Sequence, residues 1–166
     1  METTLYKIDR SDGTIFVTGG ADNVLYLQGH ENQSQISLAR PATPNSPLQP
    51  IGSVNMDRSS AQISIASGAL SMQKAGMFSH SFDVQGPGIT WTWESAMSSK
   101  YTLVDKSTGS QIAVYEKSGR FSSLWTLQTF GSLPPRTFEA VILSGLATGE
   151  MREQKKKRAR KIAIIA

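Results

Sequence analysis

The segment 137–149, TFEAVILSGLATG, constrains the fold most, because it is apolar on nearly every side of the helix that it predicts. Pro134 and Pro135 precede it and suit the first turn of a helix, and only Gly145 and Gly149 interrupt good helix formers. A helix without a polar face is buried. The segment is shorter than the roughly 18–20 residues that cross a bilayer. We therefore expect it to be buried within protein.

The residues before this segment read as short strands. Tyr, Ile, Val, Thr and Trp occur in runs of about four to eight, broken by Gly, Asp, Asn and Ser. The run ITWTWE (89–94) places Trp91 and Trp93 on one strand face, and YTLVD (101–105) with QIAVYE (111–116) predicts a hairpin around KSTGS. Short strands that recur every 8–12 residues or so predict a sandwich or a barrel.

A barrel reconciles these many strands with a helix that is apolar all round. A helix covering the open face of a sandwich would be polar on one side, whereas a barrel of about 10–12 strands is too wide for its own side chains to fill. We predict a mainly β fold, a closed antiparallel barrel around a central hydrophobic C-terminal α-helix. The barrel domain is expected at 1–150, with the core helix from about residue 135, and 151–166 as a basic C-terminal extension of the helix and tail.

Large aromatic and aliphatic side chains are expected to pack around the helix or to line a gap beside it. Core packing is the expected role of the three tryptophans, and a stacking platform for a ligand is the alternative. A gap beside the helix would suit a small apolar ligand. The predicted core or pocket-lining residues are Trp91, Trp93, Trp125, Phe138, Val141, Ile142 and Leu146.

The charge of the chain is concentrated at its end. Residues 1–149 hold 10 Lys/Arg and 11 Asp/Glu, a net of −1, whereas residues 150–166 hold 7 Lys/Arg and 2 acids, a net of +5. An anionic partner would therefore be met at one end of the molecule. The candidate lipid- or anion-binding residues are Arg152, Lys155, Lys156, Lys157, Arg158, Arg160 and Lys161.

Three roles compete for this basic run. It is a solvated helix end, a contact for anionic headgroups with Ile162, Ile164 and Ile165 in the interface, or a nuclear-import or nucleic-acid-binding segment. The aromatic residues that a single-strand binder interleaves with its cations are absent from the tail, so no specific nucleic acid is expected. The final IAIIA either dips into a membrane, packs on the barrel, or is disordered.

The sequence offers little for catalysis. There is no cysteine, the two histidines, His30 and His80, lie fifty residues apart, and no HExxH, GxSxG or Walker pattern occurs. The carboxylates have no metal-like spacing. We therefore expect no catalytic residue, no metal and no cofactor, and a protein that is not an enzyme. No secretory signal is visible, which favours an intracellular protein, cytoplasmic and either peripheral to a membrane or nuclear.

Four stretches resemble one known superfamily. GITWTWE, YTLVDKSTGSQIAVYE, SLWTLQTF and the helix TFEAVILSGLATGEMREQKKKR, best over residues 79–158, are similar to small uncharacterised fungal members of the tubby C-terminal-like superfamily. That superfamily also holds phospholipid scramblases and plant LURP-one-related proteins. The resemblance implies a barrel around a late hydrophobic helix, and binding of phosphoinositides or action on phospholipids through basic residues. The calcium-ligand pattern and membrane anchor of a scramblase are not recognisable, so scrambling is not expected.

These observations predict a non-enzymatic tubby-like binding or adaptor module. Its expected partner is an anionic phospholipid or phosphoinositide surface, met partly by the basic tail. The alternative is a soluble protein-interaction module whose basic tail is a nuclear-import or protein-docking segment.

Overall fold

A computed structural model describes residues 2–19, 24–41, 47–76, 79–97, 99–119 and 122–165, without the side chains at 24, 97, 156 and 162–165. The described residues form twelve strands and one helix. These are β1 (Thr3–Ser11), β2 (Thr14–Gly19), β3 (Val24–Glu31), β4 (Gln35–Arg40), β5 (Gln49–Met56), β6 (Ser60–Ile65), β7 (Gly68–Lys74), β8 (Phe82–Gly86), β9 (Ile89–Met97), β10 (Lys100–Asp105), β11 (Gln111–Lys117), β12 (Leu124–Phe130) and α1 (Pro135–Ile165).

The strands form a closed up-and-down barrel. Each strand pairs antiparallel with the next in the chain, and β1 pairs with β12, so that the sheet has no edge. Ile8 in β1, for example, lies opposite Val17 in β2 and Trp125 in β12. The predicted closed antiparallel barrel of about 10–12 strands around a C-terminal helix is confirmed.

A two-residue turn of sequence Asp-Gly connects β1 and β2. Asp12 and Gly13, the two residues between β1 and β2, have φ of 54° and 77°. Both values lie in the left-handed region that a two-residue hairpin needs and that Asp-Gly favours. The predicted hairpin at 101–116 is also confirmed, as β10 and β11.

The helix fills the barrel. It begins at Pro135, as the two prolines predict, and every residue from Phe138 to Gly149 is buried. Inward-facing side chains of the strands are fully buried around it: Ile8, Trp93 and Leu127, for example, are each 0% exposed. The helix lacks a polar side over this length because it contacts strands all round.

The two helical glycines mark where aromatic rings lie against the helix backbone. A Cβ at Gly145 would lie 3.2 Å from the Trp93 ring, and one at Gly149 would lie 3.0 Å from Arg10 Nη1 and 3.1 Å from the Tyr115 ring. Each glycine lowers helix propensity by about 1 kcal/mol. A side chain at either position would push the neighbouring ring away by a few tenths of an ångström, so glycine allows the closest packing here.

A buried hydrogen bond ties the helix to the barrel wall. The indole N–H of Trp93 donates to Ser144 Oγ at 2.9 Å, and Ser144 Oγ donates to the Val141 carbonyl at 3.1 Å. Both residues are 0% exposed. The polar atom of the largest buried side chain is thereby satisfied, as burial requires.

The end of the barrel beside Pro134 and Pro135, the proline end, is closed by aromatic rings. The Phe138 ring packs against Tyr6 and Tyr26, with ring centroids 4.8 Å and 5.5 Å away. Glu139, 9% exposed, has its partner in Arg40 at 3.7 Å. This ion pair accounts for a carboxylate within an otherwise apolar segment.

We expect Val141→Asp to destabilise the protein by roughly 4 kcal/mol or more, because it buries an unpaired charge at a position that is 0% exposed. Ala159→Asp, on the exposed part of the same helix, is the control and should change stability by less than about 0.5 kcal/mol. Urea unfolding measures both. A Val141→Asp protein that unfolds like the wild type would contradict the central position of the helix.

Removal of the Ser144 hydroxyl should cost about 1–3 kcal/mol, because Ser144→Ala leaves the buried Trp93 N–H without an acceptor. In a Trp93→Phe background the same change should cost much less. Thr148→Val is the control, since among the described residues the Thr148 hydroxyl bonds only to the carbonyl of Ser144 in its own helix, at 2.9 Å. Additive effects in a double-mutant cycle would show that the Trp93–Ser144 bond does not contribute.

Candidate functional site

The helix leaves the barrel at the end that carries the turn between β1 and β2, here the exit end. Met151 is still 2% exposed, and the helix continues to Ile165. We call residues 152–165 the tail helix. Ionisable side chains gather around the helix at this end in two groups, one on β1, β3 and β11 and one on β7, β10 and the loop before β8.

The first group is an ion-pair cluster built on Arg10. Its Nε and Nη2 atoms donate to the two carboxylate oxygens of Glu31, at 3.0 and 2.7 Å. Nη2 also donates to Glu150 of the helix at 2.7 Å, and Nη1 donates to the Tyr115 hydroxyl at 3.2 Å. The Arg10 side chain is only 6% exposed. One buried cation therefore holds two carboxylates and joins two strands to the helix.

Aromatic rings support this cluster from one side. Tyr115 and Trp125 stack at 4.4 Å between ring centroids, with Arg10 Cζ 5.5 Å from the Trp125 ring. Lys117 lies over the same ring at 5.9 Å and pairs with Glu153 of the tail helix at 3.5 Å. Guanidinium and ammonium groups are attracted to the face of an indole ring by cation–π interaction.

The electrostatics of the cluster keep Arg10 charged and Tyr115 neutral. Burial alone would lower the pKa of Arg10, but Tyr115, Glu31 and Glu150 raise it above its ordinary value. Burial raises the pKa of Tyr115 to about 12, although Arg10 opposes the shift. Tyr115 is therefore a neutral phenol and Arg10 a cation at any physiological pH.

A cleft of about 340 Å³ opens over the cluster. Most of its lining is charged or polar, which does not fit the small apolar ligand that a gap beside the helix suggested. The lining residues are Arg10, Asp12, Gly13, Glu31, Asn32, Gln33, Lys117, Ser122, Trp125, Glu150, Glu153 and Lys157.

The second group, here the cationic rim, consists of Lys74, His80, Arg152 and Lys155. Arg152 Nη1 donates to His80 Nδ1 at 2.7 Å. The Arg152 Nε and the Tyr101 hydroxyl are both buried, and neither has a hydrogen-bond partner within the described part of the chain. Burial raises the pKa of Tyr101, and the neighbouring Arg152 partly offsets this. Arg152 thus extends from the neighbourhood of Tyr101 in the interior to the exposed His80 ring.

The remaining members bring further positive charge to the same place. Lys74 ends β7, and desolvation, Lys74 and Arg152 together lower the pKa of Lys155. Slight desolvation and then Arg152, Lys155 and Lys74 lower the pKa of His80. Like charges destabilise one another's charged forms. The groups around His80 thus create a positive local potential.

The seven candidate tail residues differ in their exposure to solvent. Arg152 and Arg158 are half-buried, and the side chain of Lys156 lies outside the described residues. The exposed members are Lys155, Lys157, Arg160 and Lys161. Gln154 holds the tail helix to the barrel, because its side-chain amide donates to the carbonyl of Gln33 in the turn between β3 and β4.

The predicted core residues lie in the interior. Each of the seven, from Trp91 to Leu146, is at most 5% exposed. Of the tryptophans, only Trp125 lines the exit-end cleft. A larger groove of about 420 Å³ lies on the outer face of β2–β5, where Phe16 and Leu48 are 44% and 45% exposed.

Sequence reasoning missed several residues of the exit end. Arg10 and Glu31 are 21 positions apart on different strands, and no motif joins them. Lys74 and His80 lie far from the basic run in the sequence, and no pattern connects them with it. The one available signal was the pair Glu150 and Glu153 at the start of the basic run. Acidic residues at the start of a basic helix indicate that this part of the helix pairs with basic side chains of the barrel.

Two further features concern metals and membranes. Within the described ranges, no group of three or more His, Cys, Asp or Glu side chains is arranged to hold a metal ion. No helix among the described residues is both long and apolar enough to cross a membrane.

Comparisons with known proteins bear on the fold. No protein-family model matches the chain, and no curated protein matches it. The chain is similar in structure to an Arabidopsis thaliana protein solved by X-ray crystallography, with a TM-score of 0.55 over 85% of this chain and 88% of that chain. The two sequences are 10% identical. At that identity the likeness shows the barrel fold and nothing about function.

We expect Arg10→Met to destabilise the protein by about 3 kcal/mol, because it leaves the largely buried Glu31 and Glu150 side chains, 12% and 15% exposed, without a cation. Lys7→Met, at an exposed position of the same strand, is the control. Thermal and urea unfolding at neutral pH measure both variants. The loss should shrink when Glu31→Gln and Glu150→Gln are added, and an unchanged loss would contradict the ion-pair account.

Proposed function

We propose that this protein is a non-enzymatic, tubby-like binding module that docks on anionic phospholipid surfaces through its exit end. The observation that carries the proposal is the tail helix. It continues out of the barrel from its buried core segment and carries all seven basic residues of the C-terminal run. A helix anchored in the barrel holds those charges at one end of the molecule, on all sides of the helix that carries them.

The acidic residues of this region do not cancel the charge presented to a partner. Glu150 is turned inward to Arg10 at 2.7 Å, and Glu153 pairs with Lys117 at 3.5 Å. Lys155, Lys157, Arg160 and Lys161 remain exposed. Each basic side chain near an anionic membrane contributes about 1 kcal/mol. Several on one helix suffice for reversible, salt-sensitive binding.

The buried groups of the exit-end cleft support a non-enzymatic role. Arg10, Glu31 and Glu150 satisfy one another, with Arg10 holding both carboxylates at 2.7 Å. A general acid or base needs a pKa near the working pH, whereas Tyr115 in the same cluster titrates at about 12. We therefore assign these groups to holding the helix in the barrel and not to transferring protons.

We expect the protein to sediment with phosphatidylcholine vesicles that contain phosphatidylserine, and to release them as salt is raised. Arg160→Glu combined with Lys161→Glu should weaken this binding at least about tenfold, because it reverses two exposed charges of the tail helix. Lys7→Glu combined with Arg136→Glu changes the net charge equally at exposed positions away from the exit end. This control should retain most of the binding.

Two outcomes would contradict the proposal. Binding that is absent at low salt would leave the tail as a nuclear-import or protein-docking segment, which was the alternative from the sequence. Equal losses in the two charge-reversed proteins would show attraction to net charge without a defined docking end.

A further inference from the structure

The outer face of β2–β5 carries a groove to which the tail helix contributes no residue. Its volume of about 420 Å³ lies in the range of about 300–1,000 Å³ that small-molecule sites occupy. Phe16 on β2 and Leu48 just before β5 belong to its lining and are 44% and 45% exposed. Large apolar side chains that stay exposed beside a cavity indicate a binding surface.

A second cavity, of about 340 Å³, adjoins the groove, because both are lined by His30, Ser37 and Ser53. These three side chains form one row across β3, β4 and β5: His30 lies opposite Ser37, and Ser37 lies opposite Ser53. Most of the other residues that line the second cavity are polar: Glu31, Asn32, Gln35, Ile36, Val54 and Asn55. We call the first cavity the apolar half, the second the polar half, and the row between them the shared row.

A small side chain leaves the apolar half open. A neighbouring row on the same face consists of Phe16, Gln28, Ala39 and Pro50, which lie opposite one another on β2 to β5. Ala39 has the smallest side chain of the four, so a space remains between Phe16 and Pro50. A ring or chain in this space contacts apolar side chains on both of its sides.

Two glycines allow the barrel wall to bend inward beneath the groove. A Cβ at Gly52 would lie 2.6 Å from Leu143 Cδ1 of the helix and 2.7 Å from the carbonyl oxygen of Ser64. A Cβ at Gly29 would collide with the carbonyl oxygen of Ser37 on the next strand. The backbone of the helix also lies nearest to β4, β5 and β6. The depression on the outer face is thus built into the packing of the wall against the helix.

The charges of the lining do not favour an ionised ligand. Among the described residues, neither half is lined by lysine or arginine. Glu31 is the single carboxylate in these linings, and both of its oxygens accept hydrogen bonds from Arg10, at 3.0 and 2.7 Å. An ionised ligand group taken out of water here would meet no opposite charge to offset its desolvation. The lining therefore favours an uncharged occupant.

We propose that the groove binds an uncharged amphiphilic small molecule. Its apolar body lies in the apolar half between Phe16 and Leu48, and its hydroxyl or amide groups lie in the polar half, across the shared row. His30 and Ser37 are exposed and can donate or accept hydrogen bonds. Apolar side chains with a few placed polar groups are the usual lining of a small-molecule site. Such a ligand is independent of the proposed membrane function, which uses the tail helix.

The test uses methylumbelliferyl glucoside, an uncharged molecule in which an apolar coumarin ring is joined to a sugar. Methylumbelliferyl glucuronide is its anionic counterpart, with a carboxylate in place of one hydroxymethyl group. Glucose and the methyl ether of methylumbelliferone represent its two halves. NMR of the full-length protein follows the rings of its two histidines, of which His30 lies where the two cavities meet and His80 lines neither.

We expect the glucoside to shift the ring signals of His30 and to leave those of His80 unchanged. The glucuronide should bind at least about tenfold more weakly, because its carboxylate is desolvated without a partner. Glucose and the methyl ether should each bind at least about tenfold more weakly as well, because each fills only one half of the groove.

Two variants and two controls locate the binding. Ala39→Ile fills the apolar half with a residue that strands favour and should weaken glucoside binding at least about tenfold. Phe16→Thr removes one apolar side of the groove and should weaken it roughly threefold or more. Thr102→Ile on β10 adds the same side chain outside the groove, and Leu5→Thr removes an exposed apolar side chain of β1 outside the groove. Both controls should bind like the wild type.

The outcomes decide the proposal. Weaker binding by the two variants and not by the controls, with unchanged melting temperatures, supports the site. If Ala39→Ile melts below the wild type, Phe16→Thr and the His30 response of the wild type decide. The site is overturned by a silent His30, by equal binding of glucoside and glucuronide, or by equal losses in the controls.

Two further measurements separate this site from other uses of the surface. Sedimentation that shows a dimer of the wild type, dissociated in Phe16→Thr, would assign the groove to a second copy of the chain and overturn the small-molecule site. Vesicle binding through the tail helix should persist in all four variants. A failure of the groove thus leaves the membrane function standing, and a failure of vesicle binding leaves the groove standing.

Discussion

The interior of a closed twelve-stranded barrel is wider than its own side chains can fill, and the rest of this structure follows from that constraint. The helix supplies the missing volume, and it must be apolar all round because strands surround it. The same constraint sets its small residues. Gly145 and Gly149 stand where the rings of Trp93 and Tyr115 approach the helix backbone, at 3.1–3.2 Å from a hypothetical Cβ.

Where the helix extends beyond the barrel, polar side chains lie at the boundary of the core, and they need hydrogen-bond or ion-pair partners there. Arg10 meets this requirement by pairing with Glu31 on the wall and Glu150 on the helix, both at 2.7 Å. Buried ion pairs of this kind add little net stability but fix one arrangement against others. Here they fix the depth and rotation of the helix, and so the direction in which the tail helix points.

The exit end is asymmetric in charge as a result. On the side of β1, β3 and β11, cations and carboxylates are paired across the helix. On the side of β7 and β10, Arg152 and Lys155 meet Lys74 and His80. The exposed charges of the tail helix, Lys155 among them, supply the proposed attraction to an anionic surface.

The sequence by itself determined the architecture. A helix buried on all sides is apolar at nearly every position, and a strand with one buried face alternates in side-chain direction, so both elements can be predicted from local patterns. The segment 137–149 predicted a central helix, and runs such as ITWTWE predicted strands that face it. The sequence also located the excess charge. Only the tertiary structure decided which charged side chains pair with one another at the barrel end. Arg10 binds Glu150, 140 positions away in the sequence, and Arg152 binds His80, 72 positions away. Such contacts depend on barrel closure and helix depth, which no local pattern encodes.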